Sequence, residues 1–425
     1  MVSRRGLIVG AAGTTAVAGG AAALVGCTGT DDGTGTGADT AGAPGRFEPR
    51  DWSSVRSQFA LRRDHAQFAA FVLASTPYQV RAAIDRHRKG LDADPEGYLA
   101  DRPARDAAAR GAVATYLGVP PGEVALTAST THGLALWYTG LRLQPGDEML
   151  TTEHDFYSTH ESLRLRAART GAVVRRVRLY DDPAGASTDQ IVSAVVKAVT
   201  ARTRVVAVTW VHSGTGVKLP VRAIADALGG RALLCVDGVH GFAAEDAGAA
   251  DLGCDVLISG CHKWLFGPRG TGFVWARSAA WERFTPVIPS FDMDTRTGPG
   301  PAASPGGYQA YEHRWALPEA VGFHRAIERA RVAARIRELA GSLKAGLSEL
   351  DGVRVVTPRS SKLSAGIVCC EIEGLRPDEA VARLRQAGVS ASVTPYAQPY
   401  LRFGASIVID ADDVSKAVKA VHALR

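Results

Sequence analysis

A lysine stands at position 263, between His262 and Trp264. An apolar run at 255–258 precedes it and reads as a buried strand, and Gly267-Pro268 and Gly270-Thr271-Gly272 follow as turn-forming residues. An amine held in a dry, cationic pocket loses its proton more readily than one in water, and the neutral amine is a nucleophile that forms a Schiff base with an aldehyde. A lysine after a strand is ordinarily solvated, so Lys263 needs partners before it implies chemistry. The first partner is Asp237, which follows the apolar run 232–236 and is itself followed by Gly238-Val239-His240. An Asp in that place can simply cap the next segment. It can also pair with a protonated pyridine nitrogen and keep the ring an electron sink. Asp237 and Lys263 at separate strand ends are more specific together than either alone, and together they meet the needs of pyridoxal 5'-phosphate.

Other polar residues fall at comparable junctions. Thr130 and Thr131, in Ser129-Thr130-Thr131-His132-Gly133, open a helix, where hydroxyls and free amides cradle phosphate. His154 follows the next strand and could lie flat on a ring; a lone histidine is more often structural. Ser213, in a loop after another strand, could bond a phenolic oxygen.

The elements that must position these residues alternate from residue 123 onward. Strands are expected at 124–127, 148–151, 173–179, 204–209, 232–236, 256–259 and 272–276, and helices at 131–141, 159–168, 188–199 and 221–228. That rhythm predicts an α/β fold with a seven-stranded, mainly parallel, doubly wound sheet whose ligand sits at the carboxyl ends of the strands. The last two strands are joined by the Lys263 loop without a helix, which allows an antiparallel neighbour. Residues 317–350 read as one long helical region, broken near Gly341. A smaller α/β domain follows, with strands near 353–357, 365–373 and 400–406 and helices at 377–387 and 410–424. The expected divisions are a signal (1–27), a flexible linker (28–46), an N-terminal arm with helices at 76–89 and 103–117 (47–122), a large cofactor domain (123–316) and a small C-terminal domain (317–425).

The chain is 46% apolar and 22% charged, with a net charge of +6, as in ordinary globular proteins. Its basic residues are scattered: Arg62-Arg63, 86–89 and 164–169 read as solvated helix faces without stacking aromatics, so nucleic acid is not expected as a partner. Ser3-Arg4-Arg5-Gly6-Leu7-Ile8 is a twin-arginine pattern followed by a weakly apolar run to Val25. Leu24-Val25-Gly26-Cys27 resembles a lipobox with Cys27 as lipid site, so the chain is expected to be exported and held at the membrane only through its signal or lipid anchor. The alternative is an ordinary secretory signal with an incidental cysteine. The twin-arginine route carries folded proteins, which suits an enzyme that takes its cofactor in the cytoplasm. The other five cysteines (235, 254, 261, 369 and 370) lie in or beside apolar runs, with no disulfide or metal spacing.

Asp237-x-x-His240, His262-Lys263 and Gly270-x-Gly272 resemble the pyridoxal-phosphate-dependent class V aminotransferase family. Gly260-Cys261-His262-Lys263-Trp264-Leu265 is similar to its isopenicillin-N epimerase-like branch, and the resemblance runs from about residue 68 to the C-terminus. It implies a fold-type I enzyme, usually a homodimer. By position it implies that Lys263 is the Schiff-base lysine and Asp237 the partner of the pyridine nitrogen. His154 would stack on the ring, Thr130 and Thr131 would hold the phosphate with His262 joining them, and His240 would lie near the cofactor's oxygen or phosphate. Ser213 falls where desulfurases carry an Asn, and Arg402 matches the arginine that holds the substrate carboxylate. There are departures. Gly260 stands where many relatives bind phosphate with a serine, and Arg314 lies near where many place a phosphate-binding threonine that reaches the neighbouring subunit. No cysteine lies in 390–398, where desulfurases keep their nucleophile. The expected activity is therefore chemistry at Cα of a small amino-acid substrate, aminotransferase first, epimerase or C–S lyase next. A catalytically silent exported binding scaffold is the reading from another class, against which the Asp237 and Lys263 pair stands.

Overall fold

The computed structural model describes residues 44–292 and 297–424. Arg4, Arg5 and Cys27 of the expected signal lie outside the described residues.

Seven strands form the main sheet: β1 (Val124–Thr127), β2 (Glu148–Thr152), β3 (Val173–Val177), β4 (Thr203–Thr209), β5 (Leu233–Asp237), β6 (Val256–Gly260) and β7 (Gly272–Ala276). Their order is β1-β7-β6-β5-β4-β2-β3. β7 runs antiparallel to both its neighbours and the other pairs are parallel. The six strands other than β3 are largely buried, as continuous apolar runs covered on both faces require. Alternate residues serve opposite cores: Val206, Leu234 and Leu257 pack on one side, Val205, Cys235 and Ile258 on the other. β3 is one edge, and its half-buried Arg175 and exposed Arg176 discourage further pairing.

Helices α1 (Tyr78–Ala93) and α2 (Arg102–Leu117) precede the sheet, and α3 (Thr130–Gly140), α4 (Tyr157–Thr170), α5 (Thr188–Ala198) and α6 (Val221–Leu228) alternate with its strands. Ser129 caps α3 by accepting from His132 N at 3.1 Å, so the chain leaves β1 and enters the helix within two residues. The parallel register puts Thr209 opposite Asp237, and Asp237 opposite Ile258. Three strand ends are thus level along one edge.

The long helical region divides into α7 (Leu317–Ile327) and α8 (Arg329–Ser348). The break is at Glu328, with φ of 77°, and not near Gly341, which lies inside α8. A left-handed residue redirects the chain, so that α7 packs on α2 while α8 packs on the last helix. A non-glycine there costs about 1 kcal/mol, recovered by buried Ile327 and Val332 on either side. Arg62 and Arg63 also depart from expectation: they lie in an irregular segment, where Arg63 donates to Phe59 O at 3.0 Å.

A second, antiparallel sheet is ordered β10-β11-β9-β8, from β8 (Val353–Val355), β9 (Ile367–Ile372), β10 (Ser392–Val393) and β11 (Leu401–Gly404). α8 and α9 (Pro377–Gln386) pack on it, and α10 (Ala411–His422) packs on those two helices. A short parallel pair, Ala66–Gln67 with Val389–Ser390, brings the early chain against this part. That pairing places residues 68–73 beside β11, where Gly404 N donates to Phe68 O at 2.7 Å.

Candidate active site

A cavity of about 170 Å³ opens at the carboxyl ends of β4, β5 and β6. A space of that size accepts one aromatic ring. Asp237, His240 and Lys263 line it with Thr209, Ser213 and Arg402. A wider depression of about 670 Å³ over β8 and β9 holds an Arg354–Glu371 ion pair and none of this chemistry.

Asp237 ends β5 and is buried, and its Oδ1 accepts from Val239 N at 3.0 Å. Burial pushes its carboxyl above the usual range, opposed by that hydrogen bond and by the charge on Lys263. Lys263 lies three residues beyond β6, in a tight turn closed by Phe266 N to Lys263 O at 3.0 Å. Burial lowers its amine below an ordinary lysine, and Arg402 adds to this while Asp237 opposes it. Among the described residues the two form no ion pair, and the charge of each offsets only part of the other's desolvation. His240 Nε2 lies 3.2 Å from Lys263 Nζ, and Trp264 Nε1 donates to His240 Nδ1 at 3.3 Å. Burial, with the cationic charges of Lys263, Arg402 and His262, keeps His240 well below the normal imidazole range.

Beside Lys263, the end of β6 docks on the start of α3, where Gly260 N donates to Thr130 Oγ1 at 2.7 Å. Thr131 Oγ1 meets Ser158 Oγ at 3.0 Å. A Cβ on Gly260 would sit 2.7 Å from His262 Cε1 and 3.1 Å from Thr130 Oγ1. The His262 imidazole therefore occupies the space a serine at 260 would need. His262 Nδ1 is buried without a hydrogen-bond partner, as is Thr209 Oγ1 on the cavity wall. Unpaired buried polar atoms invite a ligand. The helix N-terminus, Thr130, Thr131 and His262 can hold a phosphate, and Asp237 and Lys263 can hold the two ends of a pyridine aldehyde.

The opposite wall comes from other segments. Arg402 on β11 donates through Nη1 to Ser213 O at 2.9 Å and through Nε to Ser392 Oγ at 3.1 Å. Its guanidinium lies 4.7 Å from the centre of the Phe71 ring. Nη2 makes no hydrogen bond among the described residues, which leaves a donor for a carboxylate. Ser213 Oγ and Tyr396 Oη meet at 2.7 Å.

His154 is not brought to the cavity lining. Its ring stacks on Tyr180 with centroids 3.9 Å apart, and Phe156 faces the cavity instead. Between them the buried carboxylate of Asp155 accepts from Thr152 N and Thr209 N, both at 2.7 Å, and anchors the turn in this orientation. Arg314 is also outside the lining; it is buried, bonds Gln309 and faces Asp106. All five described cysteines are buried, and burial pushes the Cys261 and Cys369 thiols up to about 12. Phe71, Phe156, Thr209 and Tyr396 were not legible as site residues. Phe71 belongs to an apolar run that reads as core, and Tyr396 to a loop notable in sequence only for lacking cysteine.

The fold is that of the fold-type I pyridoxal-phosphate enzymes. It superposes on a mutant of C-DES carrying glycine linked to its PLP cofactor, with a TM-score of 0.78, 19% identity, and coverage of 86% of this chain and 98% of that one. Residues 104–401 match the family described as aminotransferase class-V, and the chain belongs to that family, whose cofactor is pyridoxal phosphate. Isopenicillin N epimerase of Streptomyces clavuligerus is 26% identical over 396 residues, spanning 88% of this chain and 98% of the relative. A probable cysteine desulfurase of Vibrio cholerae is 23% identical over 383 residues, spanning 82% and 91%.

Proposed function

We propose that this class V enzyme inverts, or exchanges the proton at, Cα of an amino acid, with pyridoxal phosphate attached at Lys263. The observation that carries this reading is the pair of buried, mutually unpaired groups Asp237 and Lys263 in a ring-sized cavity that also exposes Arg402. When bound, pyridoxal phosphate supplies an electron-poor ring that stabilises negative charge at Cα. Asp237 would hold the ring nitrogen protonated, and Thr130, Thr131 and His262 would hold the phosphate. Arg402 would fix the substrate carboxylate, and Lys263 Nζ, whose proton is loosened by burial, would move the Cα proton. No cysteine lines the cavity among the described residues, which speaks against persulfide chemistry. The epimerase relative, matched over 98% of its length, supports inversion. Transamination is the second reading, favoured by the family itself; it needs a keto acid as second substrate, whereas inversion conserves the cofactor.

Incubating the holoenzyme with an amino-acid panel in deuterated water separates these. Inversion gives deuterium at Cα and loss of optical purity without keto acid. Keto acid in proportion to enzyme or acceptor would replace this reading by transamination, and release of sulfide or ammonia by elimination. Protein that takes up no pyridoxal phosphate would remove both and leave a binding scaffold.

Export, from the Arg4-Arg5 pattern and Cys27, and homodimerisation belong to the same proposal. Phe291 and Tyr308, both exposed and 6.1 Å apart, support a subunit contact. Fractionation of a Cys27→Ala variant and light scattering of the purified chain test them.

A further inference from the structure

Trp264 is among the largest fully buried side chains, and its indole N–H points at a polar atom of the site. Three segments fix the ring. A Cβ on Gly366 would lie 2.5 Å from its Cη2, so only glycine fits there. Phe71 stacks on it at 6.2 Å with 22° between planes, and the tight turn after β6 fixes its backbone.

An indole N–H can only donate. His240 Nδ1, 3.3 Å away, must therefore be the acceptor and carry no proton. An imidazole whose Nδ1 carries no proton is neutral, and burial and the nearby guanidinium of Arg402 favour the same state. Its single proton then resides on Nε2, 3.2 Å from Lys263 Nζ. An Nε2–H that donates needs a lone pair on Nζ, and only the unprotonated amine has one. With the other tautomer, Nε2 would accept from an ammonium and favour the charged lysine.

We propose that Trp264 is a positioning residue: by locking His240 in the Nε2–H tautomer, it directs a donor at Lys263 and holds that lysine as the free amine that captures an aldehyde. This rests on Lys263 being the attachment site. It goes beyond that reading by giving a role to a residue that touches neither cofactor nor substrate. Asp237, on the neighbouring strand end, acts in the opposite sense by favouring the ammonium.

The test uses the full chain stripped of cofactor with hydroxylamine. The rate of pyridoxal phosphate capture is followed against pH, with borohydride fixation and peptide mapping of the modified lysine. Trp264→Phe frees the tautomer, and exchanging one hydrogen bond to a charged group should move the alkaline half-point of capture up by about one pH unit. In a His240→Leu background the same Trp264→Phe change should not move the half-point, because an aliphatic side chain relays no hydrogen bond from the indole to Lys263. Where Trp264→Phe fails to fold, benzothienylalanine at 264 keeps the shape and removes only the N–H. An unmoved half-point in the folded single variant overturns the proposal, and so does an equal shift in the His240→Leu background, which would mark Trp264 as merely structural. Mapping of the cofactor to another lysine would instead overturn the assignment of Lys263.

Discussion

The inner wall of the cavity is made by adjacent strand ends, and its outer wall by segments far apart in the chain. Asp237, His240 and Lys263 belong to the first, with backbones held by the parallel register of β4, β5 and β6. Phe71 and Arg402, joined by Ser213 and Tyr396, make the second, held by side-chain contacts across 189 residues in the case of Arg402 and Ser213. A strand end is fixed to a fraction of an ångström by its ladder, so chemistry needing a constant geometry belongs there. A wall of loops can change shape or composition without disturbing that ladder, and suits substrate selection. The two walls should therefore fail differently when altered.

The largest effect is expected on the inner wall. Lys263→Ala should abolish borohydride-fixable cofactor and lower turnover by about 10³-fold or more, as loss of both nucleophile and proton carrier implies. Absorbance of the purified protein and Cα deuterium exchange measure the two losses. Retained covalent cofactor would break the assignment. On the outer wall, Arg402→Ala should lower kcat/KM for amino acids by about 10²-fold, chiefly through KM, while cofactor capture is kept. A variant that lost the cofactor as well would show that the walls are one unit.

How much of this could be read from sequence follows the same division. Strand lengths and apolar runs set where Asp237 and Lys263 emerge, and α3 begins where Ser129-Thr130 announces it. The outer wall depends on which distant segments meet, and no local pattern carries that information; Tyr396 and Phe71 were invisible for this reason. Arg402 was reached only through family resemblance. His154 shows a third case, in which the strand end is as expected but a neighbour sets the orientation: Asp155 is anchored by the donating amides of Thr152 and Thr209, and Phe156 rather than His154 lines the cavity. The break at Glu328 was hidden because the left-handed position holds no glycine.

A smaller effect is expected in stability, and its sign separates the members of the inner wall. Asp237 has a folded pKa above its unfolded one, so the folded chain keeps that proton where the unfolded chain has lost it. Its contribution to stability is present below the ordinary carboxylate range and is lost as pH rises through the folded pKa. Lys263, with a lowered folded pKa, costs stability at neutral pH and regains it as pH rises towards the ordinary lysine value. Asp237→Asn should therefore raise the stability of the cofactor-free protein at pH 7 by about 1 kcal/mol while reducing turnover. Urea midpoints at several pH values check this. A variant that was less stable throughout would mean that the carboxylate is paired in the cofactor-free state.

The smallest effect is expected where the outer wall meets the inner one. The hydroxyl of Tyr396 bonds Ser213 at 2.7 Å, and burial pushes this phenol above its normal range, so it stays protonated and neutral. It links the loop before β11 to the loop after β4 without charge. Removing it leaves Ser213 with an open donor and acceptor at the cavity edge, which water can satisfy. Tyr396→Phe should therefore cost about one ordinary hydrogen bond, around 1 kcal/mol, or some five-fold in kcat/KM. The spectrum of bound cofactor should not change, because the bond lies outside the inner wall. A spectral shift would mean that Ser213 passes the change on to the ring, and the boundary between the walls would then run through Ser213 rather than beside it.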